Sequence, residues 1–144
     1  MAKFEFSGID ELSEALSRCQ NIPFEVKAKA LTEMGQVAAA KIKQSGETMG
    51  VRDRESSQHI LDKIKVQKPK ETKDGVYVNI TFSGARTRGR TRTKNSLIAF
   101  ENEFGNRDQA ARPFVGKAMS QNEEAIVAPG VEILGDWIEK EFKK

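Results

Sequence analysis

Cysteine, histidine, tryptophan and tyrosine each occur once among these 144 residues, and proline four times. A single Cys19 excludes an internal disulfide, and on a predicted helix it reads as a small, partly buried residue rather than a nucleophile. His59 has no second histidine or cysteine with which to share a metal, and the segment HILD lacks the second histidine of a zinc helix. No GxxxxGK[ST] phosphate loop is present. Glu101 and Glu103 stand two apart, which on a helix points them to different sides. Asp53, Glu55 and Asp62 lie among Arg52, Arg54 and Lys63 and read as solvated ion pairs. The sequence therefore predicts no catalytic residue, no cofactor and no metal, and a protein that is not an enzyme. No apolar run approaches the ~18 residues of a membrane span. The opening MAKFEFSG lacks the apolar stretch of a signal peptide. The expectation is a chain made and folded in a cytoplasm, without membrane contact.

What is present is charge, unevenly placed. The net charge is only +3, with 38% hydrophobic and 31% charged residues. Residues 1–50 carry 6 basic and 7 acidic side chains, residues 51–100 carry 12 and 5, and residues 101–144 carry 6 and 9. A basic centre and an acidic last third suit a protein with one face toward a polyanion and another toward a protein partner. They also suit association of unlike faces of one chain around a ring. The length predicts one domain over 1–144 with a modest core.

Apolar periodicity divides the chain into helices, a hairpin region and helices again. Phe4 and Phe6 alternate as a short edge strand, and Ser7 is placed to cap a helix through Ile9, Leu12 and Leu16 to Gln20. Pro23 restarts the chain. Val26, Ala30, Leu31, Met34, Val37, Ala38 and Ile42 trace one stripe of a helix of ~20 residues, ~30 Å long, to about Gln44. Gly46 and Gly50 are expected to break it, and 46–57 reads as a mobile loop. Ser57 is placed to cap a short helix through Ile60, Leu61 and Ile64. Asp74-Gly75 signals a hairpin turn, followed by one half-buried strand, Val76 to Ile80, that ends at Phe82. Phe114, Val115, Ala118 and Met119 begin a helical C-terminal part, which Pro129 and Gly130 are expected to interrupt. Val131, Ile133, Leu134, Trp137, Ile138 and Phe142 then form a last helix, with Trp137 taken as core. The fold class is α+β: a small antiparallel sheet with a β-hairpin, packed against one long helix and shorter N- and C-terminal helices.

The basic tract is Arg86, Arg88, Arg90, Arg92 and Lys94, at a strict spacing of two within about 83–96. In one extended strand that spacing puts all five cations on one side, roughly 6 to 7 Å apart. Arginine offers a fork suited to phosphate, and no aromatic is interleaved for base stacking. Three readings remain: a solvated hairpin tip, contact with DNA phosphates without sequence readout, or docking on an acidic surface of a neighbouring protein.

The stretch Leu97 to Met119 joins an apolar start (Leu97, Ile98, Phe100), a stop at Glu103, Phe104 and Gly105, and a helix start at Arg112, Pro113 and Phe114. Gly105 suits a left-handed cap, and Pro113 a first helical turn. Phe104 and Phe114 are expected to anchor both ends of the intervening loop in the core. This EFG…RPF combination resembles the head–tail joining (neck or tail-completion) family of long-tailed bacteriophages. The opening Phe4 and Phe6-Ser7-Gly8-Ile9-Asp10-Glu11-Leu12, the helix ALTEMGQVAAAKIK and the segment HILDKIKV share the resemblance. Where family members carry threonine after the glycine, this chain has Asn106. The resemblance implies a structural virion protein at the phage head–tail junction that helps complete or attach the tail. It implies assembly with itself as a ring, hexameric to match the tail, against connector and tail proteins and around packaged DNA. Localisation would be the virion, with the host cytoplasm during assembly. The alternative is a small DNA- or RNA-binding accessory protein that uses the Arg-rich hairpin for phosphate contacts.

Overall fold

A computed structural model of the chain describes residues 9–51 and 59–144. The Phe4–Phe6 strand, the Ser7 and Ser57 caps, residues 52–57 of the expected loop, the Arg52–Glu55 pairs and the Cys19 side chain lie outside the described residues. The fold is α+β. The described residues form five helices, α1 (Ile9–Gln20), α2 (Phe24–Thr48), α3 (Asn95–Phe104), α4 (Phe114–Gln121) and α5 (Glu123–Phe142), three two-stranded antiparallel ladders and one 3-10 turn, Ile60–Lys63.

The long helix α2 starts where expected, with the Pro23 carbonyl accepting from the Val26 and Lys27 amides. It does not stop at Gln44. Gly46 lies inside it and is buried, because Leu61 packs directly over it: a Cβ there would fall 2.5 Å from Leu61 Cδ2. Glycine costs about 1 kcal/mol of helix propensity relative to alanine, and here the close packing of Leu61 outweighs it. The helix ends at Thr48, and Val51 just beyond is 7% exposed, so this end of the expected loop belongs to the core.

Strands β1 (Ile64–Val66) and β4 (Ile80–Phe82) pair, as do β2 (Lys70–Thr72) and β3 (Gly75–Tyr77), whose turn is Lys73-Asp74. The single strand expected from Val76 to Phe82 is thus divided. Between the two ladders the three residues 67–69 face the two residues 78–79, a bulge that contains Pro69, which has no amide to donate. Gln67 N still donates to Asn79 O at 2.8 Å, so the four strands continue one another as a bulged hairpin lying against α2.

The core gathers Ile42, Val51, Ile60, Leu61, Ile98, Ala99, Phe114 and Ala118. Phe114 is fully buried and meets Phe82 edge to face at 5.8 Å. Helix α5 runs unbroken through Pro129, against expectation, and buries Ile126 and Gly130, the latter against Met34 of α2. Proline removes one helical hydrogen bond. The packing of α5 along α2 holds the helix together around it, and the break falls instead at Asn122, between α4 and α5.

Candidate functional site

The basic tract forms a hairpin, β5 (Ala85–Arg88) and β6 (Thr91–Lys94), turning through Gly89-Arg90. Its register pairs Arg86 with Thr93 and Arg88 with Thr91, and pairs Thr87 with Arg92 and Ala85 with Lys94. Residues directly opposite in an antiparallel ladder share a face. Arg86 and Arg88 therefore lie on one face, Arg92 and Lys94 on the other, and Arg90 at the tip. The single row of five cations is not formed, because a two-residue turn reverses the alternation. Two concavities follow this division. One of about 320 Å³ holds Arg86, Arg88, Thr91 and Thr93 against Glu101, Asn102 and Gln109. The other, about 550 Å³, holds Arg92 and Lys94 with Phe82 and Ser96. Arg86 is half-buried, and the other four cations are exposed.

The hairpin is fixed at its base. Asn95 Nδ2 donates to Ser83 O at 2.7 Å, and Asn95 N donates to Gly84 O at 3.0 Å. Ser83 N in turn donates to Lys63 O at 2.8 Å. Beyond that base Arg88, Arg90, Arg92 and Lys94 extend into solvent.

The residues of the EFG…RPF motif form one joint. The Glu103 carboxylate accepts from Val115 N at 2.8 Å and from Gly116 N at 2.9 Å, which caps α4 from outside where Pro113 has no side-chain cap to offer. Gly105 ends α3 at φ +76°, and its amide donates to Glu101 O. A Cβ there would lie 2.8 Å from Ala111 N, so glycine is required both by φ and by the backbone passing over it. Asn106 Oδ1 accepts from Asp108 N at 2.9 Å, the local turn for which asparagine is suited. Arg112 donates through Nη1 to Gly50 O at 2.8 Å, tying the joint to the end of α2. Asn102, buried, accepts from Gln109 Nε2 and donates to Ile98 O.

Phe104 is a correction. It does not anchor the loop in the core as Phe114 does; it is 67% exposed and tilts against Phe100, itself 58% exposed, with centroids 4.8 Å apart. Leu97, 50% exposed, completes a stripe at i, i+3 and i+7 on the outer face of α3. Sequence reasoning missed this surface. The inner stripe of α3 (Asn95, Ile98, Ala99, Asn102) contains two asparagines, so the outer stripe looks the better core.

Among the described residues, no group of three or more His, Cys, Asp or Glu is placed to hold a metal ion, and no helix is long and apolar enough to cross a membrane. His59 Nδ1 is buried without a hydrogen-bond partner among the described residues, beside Arg112 and Asn102 in a small polar recess. Comparison with family models, with curated proteins and with solved structures finds no match to this chain.

Proposed function

We propose that this protein is a structural, non-enzymatic component of the head–tail junction of a long-tailed bacteriophage, where it helps complete or attach the tail as a ring around the DNA passage. The observation that carries this reading is the division of labour around α3. The Glu103, Gly105, Arg112, Pro113 and Phe114 joint holds α2, α3 and α4 together, and the hairpin beside it projects four exposed cations and a fifth at its root. A firmly based cationic projection suits non-specific contact with DNA phosphates in a channel, or with an acidic neighbour in a connector or tail ring. The motif resemblance supplies the phage setting.

The test replaces Arg86, Arg88, Arg90, Arg92 and Lys94 together by serine in the phage that carries this chain. The expected result is a stably folded subunit, with unjoined heads and tails or loss of packaged DNA. Undiminished infectivity would overturn the proposal. The exposed cations also favour a second reading, a monomeric or dimeric nucleic-acid-binding accessory protein. That reading predicts a salt-sensitive affinity for free duplex, on the order of micromolar, with no ring.

A further inference from the structure

Among the exposed apolar stripes of the described residues, two lie on separate supports with surroundings of opposite charge. The first is Leu97, Phe100 and Phe104 on α3, which follows directly from the basic hairpin: Lys94 ends β6 and Asn95 begins α3. The hairpin Ala85–Lys94 holds five cations and no acidic group. The second stripe is on α5. Its inner side packs on α2 and α1, leaving Val127 at 37%, Val131 at 62% and Phe142 at 43% exposure on the outer side. Helix α5 holds six carboxylates and one lysine; Glu139 and Glu141 are paired with Lys143 and Lys144 just past its end, while exposed Glu124 lies one turn before Val127 and exposed Glu132 and Asp136 stand one turn apart on the side next to the valines.

Exposed large apolar side chains gathered on one helix face mark an interaction surface more than scattered ones do. We infer that a second copy of this chain is the partner: the acid-bordered α5 face of one copy docks on the α3 stripe and basic hairpin of the next. The inference rests on the ring in the reading above and names its contact. One contact covers both apolar stripes and sets cations against carboxylates. Pairing α3 with α3 instead brings two basic hairpins into the same interface and leaves the α5 valines in water. Because the two faces differ, each docked pair keeps one free face of each kind, so association propagates until a ring closes or a filament grows. The charge pattern selects the partner and speeds encounter, while the apolar stripes hold the contact.

Charge reversal tests this directly. The hairpin variant Arg88→Glu/Arg90→Glu/Arg92→Glu and the helix variant Glu124→Lys/Glu132→Lys/Asp136→Lys change only exposed side chains. Folding of each is checked by circular dichroism, and mass is read by light scattering across concentration. Wild type is expected to assemble beyond the 16.1 kDa chain, more strongly at low salt. Each variant alone is expected to lose self-association by about tenfold or more, because like charges then face one another. An equimolar mixture of the two is expected to recover it, since each reversed face finds the other. If wild type assembles and neither variant changes its mass, these faces are wrong while the ring stands. A wild type that stays monomeric throughout also overturns the docking proposal, and the head–tail reading is then judged separately by the joining phenotype of the serine variant.

Discussion

The inner face of α3 carries Asn95, Ile98, Ala99 and Asn102, and the outer face carries Leu97, Phe100 and Phe104. By composition alone the two faces are the wrong way round. Asn102 is admitted to the interior because Gln109 and the Ile98 carbonyl engage its amide; Asn95 clamps the hairpin base through its Nδ2 to Ser83, while its Oδ1 has no partner among the described residues. A buried polar group whose hydrogen bonds are made costs little, whereas aromatic surface left in water is a standing incentive to associate. One helix thus serves the fold with its polar-containing side and, in the docking we infer, a second copy with its apolar side.

The largest break in this comparison is on the inner side. Phe114→Ala empties a fully buried site against Phe82 and is expected to cost about 3–5 kcal/mol, read as a lowered urea midpoint. Glu103→Ala comes next. It removes the acceptor of two backbone amides at the start of α4, one part-buried and one exposed, and is expected to cost about 0.5–2 kcal/mol by the same measurement, with glutamine restoring part of it through its single carbonyl oxygen. The smallest stability effect is predicted on the outer side. Phe100→Ser/Phe104→Ser removes side chains that are more exposed than buried and is expected to leave stability within about 0.5 kcal/mol.

Much of this architecture is legible in the residues. The α1 span, the α2 start after Pro23, the turn announced by Asp74-Gly75, the stop of α3 at Gly105 and the start of α4 after Pro113 all follow from local chemistry. What is not legible depends on distant partners. Gly46 reads as a helix breaker until Leu61, fifteen residues away, is seen to need the space. Pro129 reads as a stop until the packing of α5 on α2 is counted. The five cations read as one row until the Gly89-Arg90 turn folds Arg92 and Lys94 to the opposite face. Phe104 reads as core because nothing in its neighbours declares that two asparagines have taken the interior.

The central claim is that the outer face of α3 serves association while its inner face serves the fold. The most direct test measures urea stability and light-scattering mass on the same preparation of Phe100→Ser/Phe104→Ser. The account predicts a urea midpoint unchanged at a dilution where wild type too is monomeric, together with collapse, at assembling concentrations, of the larger species to 16.1 kDa. A variant that unfolds, or one that assembles as wild type does, would contradict it.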